Sequence, residues 1–469
     1  MIDAQQLAYD YDEERLGFEE PPRVAAPSIA DGQRVGVFLL ALGLLSLAIQ
    51  LSSGKLLGSW LGFLAAALPL ATGALLFIWY GYTGSEAGIQ NDGIHFSAAK
   101  SRGWIGWALG IAITGFYVAL YWYPDSMSAA VRWVDPLARS ISGSAADRWF
   151  LYGFLYTMAV LIFGARMMLR YRHNQYEQLR TLSVGFFQLG LAFVLPQLLK
   201  AFQQPEHYFT YFWPLKPEYL YPWKVKELLA MPGGVGVFMF AFSATMTAVV
   251  TPVLTYYFGK RWYCSWVCGC GGLAETLGDP WRQLSSKSTL SWKIERGIIY
   301  SVLGLVVLTT LVLWINAQNS GRLFAGFSGR LAAWYGFYIG ALFSGVIGVG
   351  FYPILGSRVW CRFGCPMAAI LGILQRFFSR FRITTNGDQC MSCGNCSTYC
   401  EMGIDVRAYA QSGKNIVRSS CVGCGICAAV CPRGVLKLEN GADFRDRYPE
   451  SDRPLDAMLA AIRAAKPYE

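Results

Sequence analysis

The chain has 469 residues, of which 54% are apolar and only 15% are charged. Soluble globular proteins carry roughly a quarter charged residues, so this composition excludes an ordinary soluble enzyme and indicates a membrane protein. The formal charge of +10 does not point to nucleic acid, because the basic residues lie at the ends of apolar segments rather than in one run. We therefore expect membrane lipid as a partner and no nucleic acid.

The first 33 residues form a polar, acidic segment. Residues 1–32 carry eight acids and two bases and lack the basic, apolar and small-residue order of a cleaved signal. After them, eight apolar stretches are each long enough to cross a bilayer, which takes about 20 residues. They lie at 35–52, 57–81, 103–123, 149–169, 181–201, 233–258, 297–316 and 331–356. An even number of spans places both termini on the same side of the membrane.

Charged and histidine residues limit what such a bundle does. The eight stretches contain no Asp, Glu or His, although ion pumps and ion-coupled transporters normally need ionisable groups inside the membrane. The three histidines, His95, His173 and His207, all fall in predicted loops. Membrane haem takes axial histidines from helices, so we expect no haem.

The distribution of basic residues orients the chain. With the N-terminus inside, the inner connections carry 17 Lys and Arg residues and the outer ones carry 10. The positive-inside rule favours this orientation, and the cysteines of the tail suit a reducing cytoplasm. We expect a multi-pass protein of a bacterial-type inner membrane, with both termini in the cytoplasm.

The 13 cysteines all lie between Cys264 and Cys431, and eight of them form two runs with identical spacing. Each run reads C-x2-C-x2-C-x3-C, which is the pattern of bacterial two-cluster ferredoxins, in which the fourth cysteine of each run ligates the other 4Fe-4S cluster. The first set is therefore Cys390, Cys393, Cys396 and Cys431, and the second set is Cys421, Cys424, Cys427 and Cys400. Structural zinc is the alternative, but it favours paired knuckles with four ligands per site. Residues 384–440 are thus predicted to form a small α+β domain with two 4Fe-4S clusters, followed by a tail at 441–469.

Four further cysteines form an internal repeat. Cys264 and Cys268 follow the sixth stretch, Cys361 and Cys365 follow the eighth, and both copies share G-x-R-x-aromatic-C-x-aromatic-x-C. Because repeats often bring equivalent elements together, we expect these four cysteines, here called the CxxxC site, to converge. A third cluster or other metal site, a redox-active dithiol and inert packing thiols are the three interpretations. The neighbouring arginines, which lower thiol pKa values, argue against packing; they are Arg261, Arg358 and Arg362. Cys270 has no counterpart, since Met367 stands in the second copy, and its role is open.

Residues 233–440, with two CxxxC motifs at helix ends and a di-cluster tail, resemble the polyferredoxin family that includes NapH, NosR and CcoG. The resemblance implies membrane-bound electron transfer, linked to quinol in some members and to metal reduction during oxidase assembly in others. The chain departs from the family at Gly269, where the family has proline, and at Glu401, where proline usually follows the fourth cysteine. No covalent-flavin motif is evident.

The remaining segments are less specific. The first membrane part, 34–232, ends in a long, aromatic, predicted external loop at 202–232, which suits either an interfacial belt or a quinone-head site with Glu206 and His207. The first four stretches suit bundle packing or a docking surface for a partner subunit. In the membrane core, 233–383, the segment after Cys365 has the pattern of an amphipathic surface helix. Residues 455–465 are predicted to be helical.

Three functions remain open. The first hypothesis is a membrane-bound electron-transfer protein of quinol-dehydrogenase type, connecting the two clusters and the CxxxC site with a quinone or a redox protein partner. The second is an assembly factor or metal reductase, and the third is a non-catalytic redox sensor. The fold predicted for all three is an α-helical membrane bundle of about eight spans followed by the ferredoxin domain.

Overall fold

A computed structural model describes residues 30–83, 87–88, 99–386 and 389–441, so the acidic N-terminal segment, His95 and the predicted helix at 455–465 lie outside the described residues. Eight described helices are long and apolar enough to cross a membrane, which confirms the predicted number. They are α1 (Asp31–Ser53), α2 (Trp60–Tyr82), α3 (Trp104–Trp122), α4 (Arg148–Arg170), α5 (Gln175–Ala201), α6 (Pro232–Phe258), α7 (Thr289–Gln318) and α8 (Ala325–Ile347).

Four helix ends differ from the predicted spans by six residues or more, and one of them is the start of α8 at Ala325. Helix α5 begins six residues before its predicted span, where the Asn174 side chain accepts hydrogen bonds from the first-turn N–H groups, and α7 begins eight residues early with Ser288 as its cap. Both extensions carry buried charged residues, including Glu177 and Glu295. Helix α8 ends at Ile347, and residues 348–356 turn through a short helix rather than continuing the span.

Small residues set the packing of the first two helices. An added Cβ at Gly36 would lie 2.8 Å from the carbonyl oxygen of Gly73, and one at Gly73 would lie 2.7 Å from that of Gly36. Such close backbone approach is typical of helix pairs in membranes. The outward side chains of α1, among them Phe38, Leu44 and Leu45, are exposed, as expected for a lipid-facing helix.

The long loop between α5 and α6 returns into the bundle. Phe212 is fully buried and packs on Tyr263, the hydroxyl of which donates a hydrogen bond to the carbonyl oxygen of Thr210. The indole N–H of Trp213 donates to Thr310 on α7. Trp223 is half exposed, as a belt residue would be, but the centre of the loop contacts the segment that carries the CxxxC site.

Four stretches of the described residues have π-helical geometry, which often marks functional sites. They lie at Phe187–Val194 in α5, Met246–Val250 in α6, Tyr335–Ile347 in α8 and Trp360–Gly364. The last of them contains Cys361, and Met246 packs against the core that holds the CxxxC cysteines.

The predicted helix after Cys365 is present as α9 (Pro366–Phe378). Its buried face lies between the bundle and the ferredoxin domain, while Arg376, Phe377 and Phe378 are exposed. The amide of Gln375 donates to the carbonyl oxygens of Arg418 and Cys421, so α9 holds the ferredoxin domain against the bundle.

The ferredoxin domain has the predicted α+β character. Strands β1 (Phe381–Thr385) and β2 (Leu436–Asn440) pair antiparallel, with Ile383 opposite Leu438. Its short helices are Asn395–Thr398, Val406–Gln411 and Ile426–Ala429.

Short helices also lie in the connections between the spanning helices. They are Pro124–Met127, Ser128–Trp133, Asp135–Ser142, Pro217–Leu220, Pro222–Leu229, Arg261–Cys264, Gly269–Glu275, Asp279–Leu284 and Tyr352–Leu355.

Candidate iron–sulfur sites and their charged surroundings

The first CxxxC motif follows a sharp reversal at the end of α6. Gly259 has a φ of 67°, and an added Cβ would lie 2.7 Å from the Phe381 side chain, so a larger residue does not fit. After the reversal the chain folds back on α6, where the Trp262 indole donates to Thr255. Cys264 is thereby turned into the protein interior.

The second motif follows an equivalent reversal after α8. Gly356 has a φ of 95° and packs on Ser285, and the chain then returns so that the Trp360 ring meets the Phe343 ring of α8 at 5.9 Å. Cys361 and Cys365 are as buried as their counterparts in the first motif.

The structure brings the four CxxxC cysteines together in one buried core. Burial raises the pKa of Cys365 well above its usual value, and the neighbouring thiols of Cys361, Cys264 and Cys268 raise it further. Burial likewise raises the pKa of Cys264 to about 12, although Lys260 opposes the shift. Each thiol therefore lies within the electrostatic range of thiols from the other motif.

Cys270, which has no counterpart in the repeat, is a fifth thiol at this site. A hydrogen bond with Cys270 lowers the pKa of Cys268 to about 7 and raises that of Cys270 well above its usual value. An added Cβ at the intervening Gly269 would lie 2.6 Å from the Tyr211 hydroxyl and 2.8 Å from the Gln188 amide oxygen. The loop at 202–232, here called the re-entrant loop, and helix α5 thus cover the Cys268–Cys270 turn.

The matched arginines of the repeat have different surroundings. Arg358 donates to the Cys361 sulfur at 3.6 Å and to the carbonyl oxygen of Cys264 at 3.3 Å. Arg261 instead lies with its guanidinium 4.6 Å from the Phe381 ring centre and 5.7 Å from that of Tyr176. The expectation that both arginines lie beside the cysteines is wrong for Arg261, because the reversal at Gly259 directs Lys260 inward in its place.

The four cysteines of the first ferredoxin set line one open cavity. Arg407 and Arg433 also line the cavity, and Cys393 is exposed. Gly394 begins the short helix Asn395–Thr398 in a left-handed conformation (φ 79°), which lets the chain curl around the cavity.

The second set is buried against the bundle. The Tyr176 hydroxyl donates to the carbonyl oxygen of Gly423, and the Ser265 hydroxyl, one residue after Cys264, donates to that of Val422. Gly425 has a φ of 88°, and an added Cβ would lie within 2.7 Å of both Tyr176 and Glu177. The loop that carries the second set is therefore fixed by α5 and by the first CxxxC motif.

The separation of the sulfur atoms tests which group these thiols fit. Among the described residues, which include every cysteine, no three sulfurs lie within 4.8 Å of one another. Tetrahedral zinc with bonds of about 2.3 Å requires sulfurs about 3.8 Å apart. The thiols are therefore not gathered as tightly as a four-thiolate zinc ion requires, and a donor set made only of cysteines suits iron–sulfur clusters.

A buried network of ion pairs lies beside the second set. Asp279 pairs with Arg166, Arg170 and Arg282, and although burial opposes its ionisation, these arginines hold its pKa well below the usual range. Arg282 also lies 3.5 Å from Glu401, the residue after Cys400. A second group of pairs joins Arg180 with Glu177 and Glu275.

Sequence reasoning did not identify this network. Its acidic members lie in connections between the apolar stretches or, like Glu401, in the ferredoxin domain, and charged residues are ordinary in such segments. The usable signal was Glu401 at a position where proline is usual, because a carboxylate next to a cluster ligand needs a cationic partner. The structure provides that partner as Arg358 at 2.9 Å.

Glu206 and His207 face in different directions. His207 is buried, with its ring stacked 4.4 Å from that of Tyr219 and its Nε2 atom 3.5 Å from the Ser243 hydroxyl. Burial lowers the pKa of His207 to about 4, with a smaller contribution from Lys224. Glu206 is exposed and accepts a hydrogen bond from Tyr208.

Fold and sites together define a multi-pass helical membrane protein with 4Fe-4S ferredoxin-type domains. Residues 389–436 match the family model described as a 4Fe-4S dicluster domain. A second model, described as a 4Fe-4S binding domain, matches twice, at 237–288 and 338–384. Each of these two matches contains one CxxxC motif, which supports the internal repeat.

Three curated proteins are similar to part of the chain. The putative electron transport protein YccM of Escherichia coli K12 is 26% identical over 171 residues, covering 35% of this chain and 48% of YccM. The methylamine utilization ferredoxin-type protein MauN of Methylobacillus flagellatus is 27% identical over 165 residues, covering 34% and 56%. The uncharacterized protein MJ0749 of Methanocaldococcus jannaschii is 24% identical over 167 residues, covering 35% and 60%. The chain thus spans about half the length of the relatives it matches, and no solved structure matches it.

Proposed function

We propose that this protein is a membrane-bound iron–sulfur electron-transfer protein of the type represented by NapH, NosR and CcoG. Electrons move between a redox partner or the quinone pool and the two ferredoxin clusters, by way of the CxxxC site. The names of YccM and MauN, an electron transport and a ferredoxin-type protein, support this class.

The proposal rests on one continuous buried core that contains cysteines of the CxxxC site and of both ferredoxin sets. Every cysteine except the exposed Cys393 either belongs to this core or packs against it. Bound 4Fe-4S clusters supply one-electron transfer at each position. The exposed first set is suited to exchange with a soluble partner, and the second set lies between it and the CxxxC site.

The chain's own residues hold this order of sites. Gln375 on α9 accepts a hydrogen bond from the backbone N–H of Lys260 and donates to the carbonyl oxygen of Cys421, so one side chain joins the first CxxxC motif to the second set. Ser265 makes a second such connection through Val422. We propose a third cluster at the CxxxC site and a cytoplasmic position for the ferredoxin domain.

Glu206 and His207 remain the proposed quinone-head residues. With a pKa of about 4, His207 is neutral at physiological pH and its imidazole is able to accept a hydrogen bond from a quinol hydroxyl. The re-entrant loop connects this position to Tyr263, next to Cys264, through Thr210.

The test is anaerobic purification followed by iron and sulfide analysis, electron paramagnetic resonance and reduction by a soluble quinol. We expect two interacting ferredoxin clusters and a third signal that Cys264→Ser and Cys361→Ser each abolish as a unit, while the two ferredoxin signals persist in both variants. Zinc in place of iron contradicts the proposal. Copper or iron reduction without any effect of quinol favours the metal-reductase alternative.

A further inference from the structure

Lys260 is a buried cation without a carboxylate partner in the described part of the chain. Its side chain is almost fully buried, and its ammonium group donates to the carbonyl oxygen of Ser419 at 3.2 Å. Lys260 and Cys361 line the same cavity, and the Gln375 side chain joins the Lys260 backbone N–H to the carbonyl oxygen of Cys421. The charge of Lys260 also acts on the thiols of Cys264, Cys361 and Cys421. Because an isolated buried charge is costly, anionic sulfur groups on both sides are its natural counter-charges.

Arg358 also contacts both the CxxxC site and the surroundings of the second set. One guanidinium nitrogen donates to the Cys361 sulfur, and the other pairs with the carboxylates of Glu275 and Glu401. Those two carboxylates have oxygens within 4.8 Å of the Cys424 sulfur. Arg358 therefore connects a CxxxC thiol to the immediate surroundings of the second set.

We propose that Lys260 and Arg358 are shared counter-charges, positioning residues that couple the electron affinity of the CxxxC site to that of the second set. The coupling rests on the proposed function, since it requires clusters at both sites. Reduction adds one negative charge to a site, and a nearby fixed cation stabilises the reduced form. A cation that both sites share therefore raises both midpoint potentials.

The internal repeat provides a matched control. Arg261 occupies the position in the first motif that Arg358 occupies in the second, but its guanidinium lies over aromatic rings. In the described part of the chain no hydrogen bond joins Arg261 to a cysteine, although its Cβ packs on Gly423 in the loop of the second set. Removing its charge tests whether any cation near the motifs has the same effect or whether contact with both sites is required.

The experiment is a potentiometric titration of the purified full-length protein, followed by electron paramagnetic resonance, for Lys260→Met, Arg358→Gln, Arg358→Lys and Arg261→Gln. We expect Lys260→Met and Arg358→Gln each to reduce the reduced-to-oxidised ratio at a fixed potential about tenfold at both sites, which is ~59 mV for a one-electron couple. Arg358→Lys keeps the charge and is expected to shift both potentials less. Arg261→Gln is expected to leave both unchanged.

Glu401→Gln is expected to shift a midpoint potential in the opposite direction. Removing this carboxylate beside Cys400 and Cys424 is expected to raise the potential of the second set. If Arg358→Gln does not assemble, Lys260→Met and Arg358→Lys still decide the question. A shift at only one site, or an equal shift in Arg261→Gln, overturns the coupling. Iron at both sites with unmoved potentials overturns the coupling and leaves the proposed function intact, whereas no iron at the CxxxC site overturns both.

Discussion

The two ferredoxin sets have identical cysteine spacing but unlike surroundings. Cys393 of the first set is exposed, and the atom nearest to an added Cβ at Gly394 is a guanidinium nitrogen of Arg407 at 3.9 Å. At the equivalent position of the second set, Gly425 is pressed against Tyr176 and Glu177. Ligand spacing therefore selects the kind of cofactor, while burial and charge are decided by what packs on each loop.

Removing one charged side chain beside each set is expected to give the largest difference in stability between the two sets. Arg282 is fully buried beside Asp279 and Glu401, so Arg282→Met leaves two buried carboxylates with fewer partners and should cost about 3–5 kcal/mol of stability. Arg407 at the first set is exposed, and Arg407→Met should change stability by less than about 0.5 kcal/mol. Thermal unfolding in detergent measures both. Equal losses would show that the network does not support the second set.

Replacing the matched glycines Gly394 and Gly425 with alanine is expected to destabilise the second set more than the first. Gly394→Ala places a side chain in a left-handed conformation in open space and should cost about 1 kcal/mol. Gly425→Ala has the same backbone cost and also overlaps Tyr176 and Glu177, which adds about 1–3 kcal/mol. The readouts are the unfolding midpoint and the iron content of each variant. If Gly425→Ala is no worse than Gly394→Ala, the contact of the second set with α5 is looser than the structure shows.

The rate at which a chelator removes iron is expected to differ least between the two sets, and its measurement changes no residue. An iron chelator should remove iron from the first set before the second, because only the first set has an exposed cysteine at an open cavity. The two signals in electron paramagnetic resonance, followed over time, measure the order of loss. Cys393→Ser is the reference for the first signal and Cys424→Ser for the second. Simultaneous loss of both signals argues that the two sets open together.

Much of the fold was predictable because it depends on local pattern. A helix crosses the membrane wherever about 20 apolar residues follow one another, and this rule identified all eight spanning helices. The rule misplaced the starts of α5 and α7, because Glu177 and Glu295 are ion-paired and buried where an apolar criterion ends the span. The loop at 202–232 stays predicted as external, and its inward contact of Phe212 with Tyr263 is a feature that aromatic content alone does not distinguish from an interfacial belt.

The helical membrane bundle, the two cysteine runs and the repeated CxxxC motif are evident from the amino-acid order, since each depends on residues that are near one another in the chain. The charge of Lys260 acts on the CxxxC thiols and Arg358 reaches Glu401 because of how the chain folds. The physical reason is that a charge acts on whatever lies within a few ångströms of it. Those neighbours come from α6, α9 and the ferredoxin domain, and only folding places them side by side.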